Sequence, residues 1–442
     1  LDDREYLKTF FQNLTLRPIE PDHPFYVPIW ERGDADDPVE LLKNTIESAG
    51  PRSAQLLSGY RGAGKSTELR RLRRDLRQGG RFVVLCDMED FLDTSAPIDI
   101  CDFLLALAGA VSEQLVAEKV LQDRPDVESY WTRFRNFMYR TDVKFDEVSA
   151  KLAAGAEVEL KASLKSDPSF REKLQAHLAL HLSSFLADVR GYIKDCVRQV
   201  HVQHGQDAEL VILVDSMEHF RGVSSDALAV HDAVERLFAG HADKLCLPDV
   251  HLVYTVPPWL KICYPGVEGY YQPGGLVTLT AQRVTSKNAD SQAPLADLER
   301  VLKRRAPDLD WQRLLGDERA VLDQLIGLSG GHLRDLFRLV AEVIRRCLGH
   351  ELPATQERRE RAISAVRSGF GEVAQDDAQW LATIARTRQV TLPSRTRLPD
   401  LARFFDTHLV LCYRNGREWY DVHPLIREQV EGLAAPQAAN NP

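Results

Sequence analysis

Residues 59–67 read GYRGAGKST, between a short apolar run at Gln55–Ser58 and a stretch of strong helix formers at Ser66–Gln78. The segment satisfies G-x-x-x-x-G-K-[ST] with Gly59, Gly64, Lys65 and Ser66. Each residue type has a physical reason. Glycines let the backbone curl with its N–H groups pointing inward, and the helix that begins here adds its positive end, so the turn is built to hold phosphate oxygens. Lys65 places an ammonium against the outer phosphates, and Ser66 offers a hydroxyl to magnesium. The binding residues expected are therefore Gly59, Arg61, Gly62, Ala63, Gly64, Lys65, Ser66 and Thr67, and the ligand is a nucleoside triphosphate with Mg2+. A strand, a glycine loop and a helix in that order also commit the chain to an α/β architecture.

The pattern downstream of the loop supports that architecture. RFVVLCD (81–87), ELVILVD (209–215), HLVYTV (251–256) and Val277–Thr280 are aliphatic runs expected as strands, several of them buried on both faces. The strand–helix alternation from 55 to 283 predicts a parallel sheet with crossover helices. Residues 121–208 read as a mainly helical insertion. Within it, AGAEVELKASL alternates from Ala156 like a small strand or hairpin, and Phe170–His204 reads as one long helical run. Residues 1–36 form an arm, 37–285 the core, 286–352 a helical lid, and 353–434 a compact C-terminal unit. The last contains a hairpin, HLVLCYRNGREWYDV, with Asn415-Gly416 as its expected turn.

Further polar residues fall where a triphosphate site needs them. Asp215 closes a buried strand, the position from which a carboxylate holds magnesium. Hydrolysis needs a group that orients water; Ser216 follows Asp215, and Glu218 is the next acid, so Glu218 is the expected general base. Thr255, near the end of HLVYTV, is placed to hydrogen-bond the γ-phosphate or the attacking water. Arg334 begins a helix after Gly330-Gly331 in LSGGHLRDLFRLV, where a lid arginine reaches the phosphates.

Bulk properties narrow the classes. The 442 residues exceed one core, and 44% hydrophobic with 27% charged residues is ordinary for a globular protein. A net charge of −9 argues against a dedicated nucleic-acid coat. The basic stretch RRLRRDLR (70–77) reads as a solvated helix face. Seven scattered cysteines include no CxxC pair and no zinc spacing, which points to reduced thiols and a cytoplasmic location. No apolar run approaches the roughly 20 residues that cross a bilayer, and the acidic, polar LDDREYLKTF is unlike a signal peptide, so no membrane association is expected. No other hydrolase or metalloprotease motif is present, and His201 and His204 have no third ligand placed. Nor is there an N/T-K-x-D tetrad after Asp215, which favours adenine over guanine.

With these residues, the chain resembles AAA+/STAND-type P-loop ATPases over about residues 20–430. Asp215-Ser-Met-Glu218 is similar to the D-G-x-D pattern of STAND and NACHT proteins, where the later acid assists hydrolysis; His219 departs from the acid common there. The helix carrying Arg334 resembles the lid of origin-recognition ATPases. Leu409–Val422, followed by His423-Pro424-Leu425, resembles the wing and last helix of a winged-helix domain. FYVPIW (25–30) resembles the segment that lines adenine, with Tyr26 and Val27 as the contacts. For an arginine finger, Arg221 and Arg283 are the nearest by position. The resemblance implies a P-loop core with helical insertion, helical lid and winged helix, binding ATP with Mg2+ and hydrolysing it. It further implies a STAND-like regulatory ATPase, as in anti-phage defence, acting on a separate effector protein because no effector domain is fused, with a nucleotide-dependent homo-oligomer. The alternatives are an origin-recognition-like or transposition-type ATPase that docks its winged helix on DNA, and a nucleotide-binding scaffold without turnover. Residues 351–442 hold 12 Arg and 12 Asp plus Glu, so DNA affinity requires arginines such as Arg395, Arg397, Arg414 and Arg417 to share a face.

Overall fold

The run Leu210–Asp215 and the run His251–Val256 are strands buried along their whole length, as expected where helices cover a sheet on both sides. They lie in a computed structural model that describes residues 1–30, 37–121, 129–141, 157–222, 226–284 and 292–435. The chain falls into two compact units. One comprises Leu1–Asp34, Gly59–Thr67 and Leu279–Pro442, the other Ala35–Ser58 and Glu68–Thr278.

The second unit is built on a five-stranded sheet of β1 (Ser53–Gly59), β2 (Phe82–Asp87), β3 (Leu210–Asp215), β4 (His251–Val256) and β5 (Pro273–Leu279), in the order β2-β3-β4-β1-β5. The pairs β2–β3, β3–β4 and β4–β1 are parallel, so the fold is α/β with crossover connections. Register sets Asp87 beside Asp215 and Leu57 beside Thr255. On one face, Leu57, Val83, Val211, Leu213 and Val253 pack with Leu42 and Ile46 of helix Pro38–Ser48 and with Leu69, Leu72 and Leu76 of helix Lys65–Gln78. Helix Ile100–Ala117 is long and apolar enough by composition to cross a membrane, and most of it is buried inside the protein.

Three expectations change here. The alternating patch is helical where it is described: Glu157–Ser166 is an α-helix that buries Leu160, Ser163 and Leu164, a spacing of three and four that outweighs the alternation, while 154–156 lie outside the described residues. The run 170–204 is two helices, Pro168–Leu180 and Leu182–His204, meeting at His181. The first starts where Asp167 accepts the Phe170 N–H and Pro168 fits the first turn. The arginine-rich stretch is not wholly solvated. Arg71 is 1% exposed, ion-paired with Asp37 and with Glu68 at 3.1 Å.

The first unit is helical around Leu333–Cys347, which buries Leu336, Phe337, Leu339, Val340, Val343, Ile344 and Cys347. Tyr6, Leu7 and Phe10 of helix Asp3–Asn13 share that core with Leu298, Val301 and Leu302, with Leu322, Leu325 and Ile326, and with Ile363 and Val366. The C-terminal part carries helices Gln375–Thr387 and Leu398–Asp406, the hairpin β6 (Val410–Asn415) and β7 (Arg417–Val422), and helix Arg427–Ala434. This is a β-hairpin with flanking helices, consistent with a winged helix. The hairpin turn is tighter than expected: Asn415 pairs with Arg417, and only Gly416 has a positive φ, of 79°. A two-residue type I′ turn needs positive φ at both central positions.

Gly330 and Gly331 are set by close approach. A Cβ on Gly331 would stand 1.8 Å from the Gln282 carbonyl oxygen, and one on Gly330 would meet Leu411. Both have positive φ. Gln282 N–H donates to Gly331 O, and Tyr413 Oη donates to Gly330 O, so this turn joins the lid to the hairpin.

Candidate functional site

The glycine loop lies wholly within the first unit. Gly62 and Gly64 have φ of 84° and 101°, the left-handed region glycine enters at no steric cost. Lys65 opens the helix Lys65–Gln78, and its Nζ donates to the carbonyls of Gly59 (2.8 Å) and Tyr60 (2.7 Å). Lys65 is 3% exposed, and its ammonium is held on the loop's own carbonyls. Gly59 is fixed by packing, since its missing Cβ would sit 3.0 Å from Leu279. Thr67 faces the arm: its Oγ1 accepts the Ile19 N–H at 3.3 Å.

Arg334 lies against this loop. A Cβ on Gly62 would stand 2.4 Å from Arg334 Nε and 2.9 Å from its Cβ. Burial lowers the guanidinium's pKa, and the positive charge of Arg61 lowers it further. Arg334 Nε meets no hydrogen-bond partner among the described residues. A cation at a helix N-terminus whose pKa is lowered by burial and by a second positive charge is one that an anion stabilises. Sequence reasoning found Arg334 but gave Arg61 no more than a place in the loop.

The arm residues are buried at the lid. Val27 belongs to the lid's hydrophobic core, and Tyr26 is 8% exposed. Their backbone is pinned by arginines: Arg304 Nη1 donates to the carbonyls of Pro24 and Tyr26, and Arg305 Nη1 to that of Phe25. Arg305 lies over the Phe337 ring at 4.5 Å, and burial lowers its pKa to about 10.

A buried polar cluster reaches the same loop. Asp335 sits beneath Arg334, with His332 Nδ1 at 2.8 Å, His408 Nδ1 at 2.9 Å and His423 Nε2 at 3.5 Å, all toward Oδ2. The other ring nitrogen of His408 faces the Arg61 carbonyl at 2.8 Å. Burial alone would raise the Asp335 carboxyl; His332 and the other imidazoles instead hold it far below the usual range. Burial, then His408, pushes His332 down to about 4. His332 and Asp335 are three apart on one helix start, but His408 and His423 are more than 70 residues away, so the sequence did not join the four.

Asp215, Glu218 and Thr255 lie in the second unit, on the turn that follows β3 and at the end of β4. Asp215 Oδ1 accepts the Ser216 N–H at 2.9 Å. Ser216 has φ 70°, a left-handed residue without glycine's freedom, and such strain concentrates at working turns. Thr255 Oγ1 accepts the Met217 N–H at 3.0 Å, which fastens the turn to β4 and leaves the hydroxyl hydrogen to donate. Glu218 is 7% exposed, and its Oε1 is 3.6 Å from His219 Nε2. His219 Nδ1 in turn hydrogen-bonds Glu89 Oε1. Asp87 and Glu89, at the end of β2, add two acids that sequence reasoning missed; RFVVLCDMED ends in acids beside a buried strand, which was the available signal.

No family model matches this chain, and no curated protein matches it. Among solved structures it is similar to the Walker-type ATPase PABY2304 of Pyrococcus abyssi, at 14% identity over 96% of this chain and 99% of that one, with a TM-score of 0.42. It is also similar to the Aeropyrum pernix ORC2 protein in ADPNP–ADP complexes, at 12% identity over 96% of each chain and a TM-score of 0.42. The ORC1 protein of Aeropyrum pernix in complex with DNA matches at 13% identity over 90% of each chain, with a TM-score of 0.35. These likenesses are remote in sequence and loose in superposition, so the chemistry rests on the residues above.

Proposed function

We propose that the chain binds ATP with Mg2+ at the 59–67 loop and hydrolyses it. The observation that carries this reading is the loop itself: Gly62 and Gly64 left-handed, Lys65 turned onto its carbonyls, and Arg334 packed against Gly62. The loop amides and Lys65 take the phosphates, Ser66 offers magnesium its hydroxyl, and Asp215 its carboxylate. Glu218 orients the attacking water, and Thr255 steadies the turn that carries it. Tyr26 and Val27 are the proposed adenine side. A comparison of wild type with Glu218→Gln tests the enzyme reading. The variant is expected to keep nucleotide and lose phosphate release; a wild type that releases no phosphate from Mg-ATP overturns it.

The role proposed is a cytoplasmic regulatory switch of the STAND kind. ATP favours one arrangement and hydrolysis resets it, with a separate effector, as in anti-phage defence, reading the state through a homo-oligomer. The charge pattern of the C-terminal part supports this over DNA docking. Arg397 and Arg403 are paired with Asp377, Arg388 and Arg427 with Asp421, and Arg414 with Glu418. Paired arginines have little left to neutralise phosphates. Salt-dependent duplex binding that disappears in Arg414→Glu with Arg417→Glu would favour the DNA reading instead.

A further inference from the structure

We propose that His332, Asp335 and His408 form a binding site for a divalent transition-metal ion of the zinc class, which ties the lid helix to the C-terminal hairpin domain and fixes the Arg61 carbonyl of the glycine loop. His332 Nδ1, Asp335 Oδ2 and His408 Nδ1 lie within 4.8 Å of one another, and all three residues are buried. They come from two places: His332 and Asp335 from the start of Leu333–Cys347, His408 from the three residues between Leu398–Asp406 and β6.

Proton counting supports a cation. His408 directs Nδ1 at the Asp335 carboxylate and Nε2 at the Arg61 carbonyl, two acceptors that have no hydrogen to give. A neutral imidazole carries one N–H and serves only one of them, so the other nitrogen needs either a second proton or a cation. With a metal between Nδ1 and the carboxylate, His408 keeps its hydrogen on Nε2 for Arg61 O. A ring N–H donated to a backbone carbonyl is the usual outer support of a metal-bound histidine.

The crowding at Asp335 points the same way. Three imidazole nitrogens face one carboxylate oxygen, which has room for about two donors. His423 is the most distant of them: its Nδ1 accepts the Leu425 N–H, so its hydrogen is on Nε2, which faces Asp335 at 3.5 Å without a hydrogen bond, and it is not a ligand. Arg338 Nη1 holds the other carboxylate oxygen at 3.0 Å. His332 and His408 remain, their rings 3.9 Å apart. Ligands about 2.1 Å from a tetrahedral zinc stand about 3.4 Å from one another. The 2.8 and 2.9 Å spacings open to that value with a shift of about half an ångström in the carboxylate. Two His and one Asp leave the fourth position to a water. His408 itself is held at φ 61°, a left-handed conformation for a non-glycine residue that the surroundings must impose.

The test uses the full chain, stripped with a chelator and reloaded with Zn2+ or Co2+ alone, without nucleotide. One equivalent of zinc per chain is expected, with a rise in Tm on reloading. Cobalt should give visible d–d bands without the near-ultraviolet charge transfer that any of the seven thiols would produce. His408→Asn and His332→Gln should lose the bands, whereas Lys65→Ala should keep them, separating this site from any metal that accompanies nucleotide. Wild type that binds less than about a tenth of an equivalent, shows no cobalt bands and has the same Tm with and without zinc overturns the proposal, leaving a hydrogen-bonded imidazole–carboxylate cluster only. That result on wild type stands even if the variants fail to fold.

Discussion

The Cβ that Gly62 lacks would stand 2.4 Å from Nε of Arg334. The glycine loop and the helix that carries the arginine thus meet at a residue with no side chain. Gly62→Ala must both strain a φ of 84°, costing about 1–2 kcal/mol, and push the guanidinium away. Its ATP affinity is expected to fall at least about tenfold while the chain stays folded, as Arg334→Ala also should, since a charge-assisted contact is worth about 1.5–3 kcal/mol. Equilibrium titration with Mg-ATP alongside thermal unfolding checks both. Unchanged affinity in both variants would detach Arg334 from the phosphates.

Thr255 is fastened to the turn after β3 by the Met217 N–H. Thr255→Val keeps the shape and removes the acceptor, leaving a buried N–H unsatisfied at a cost of about 1–3 kcal/mol. The turn that aims Glu218 loses its anchor, so kcat should fall about tenfold or more with KM little changed, and Thr255→Ser should restore it. Steady-state kinetics of the three proteins decide this. A Val variant with wild-type kcat would make Thr255 a core residue and no more.

Much of this was legible in order along the chain. The loop, the strand ending in Asp215 and the helix after Gly330-Gly331 are local patterns whose chemistry depends on neighbours in sequence. What was not legible depends on tertiary contact. Arg71 looks like its solvated neighbours until Asp37 and Glu68 close on it. His332, Asp335, His408 and His423 converge only when the lid and the hairpin domain pack together. Glu157–Ser166 misled because a charged and apolar alternation over four residues fits a strand, while Leu160, Ser163 and Leu164 fit a helix face. The hairpin and its turn at Gly416 were found; that Asn415 pairs with Arg417 was not, because this register is set by pairing further along the strands.

Asp102 supplies a pH signature. It is 2% exposed near the start of helix Ile100–Ala117, and burial raises its pKa from 3.8 to about 7, with the Gln175 amide opposing and Asp99 adding to the rise. The folded state therefore keeps a proton that the unfolded chain releases, so this group's contribution to stability is greatest below about pH 4 and falls until about pH 7. Three pK units correspond to at most about 4 kcal/mol. Asp102→Asn keeps an acceptor for Gln175 and has no proton to lose. Denaturant unfolding of both proteins from pH 5 to 8 should show the variant gaining on wild type as pH rises. A difference that stays constant across that range would mean the carboxylate is charged throughout.

Lys65 and the loop around it are proposed to grip a triphosphate. Binding of a fluorescent ATP analogue is to be measured for wild type and Lys65→Ala, each with and without Mg2+. Magnesium-dependent binding by wild type, weakened at least about tenfold in the variant by loss of a charge-assisted contact, is the expected result. Equal affinity in the two proteins, or none in either, would contradict the account.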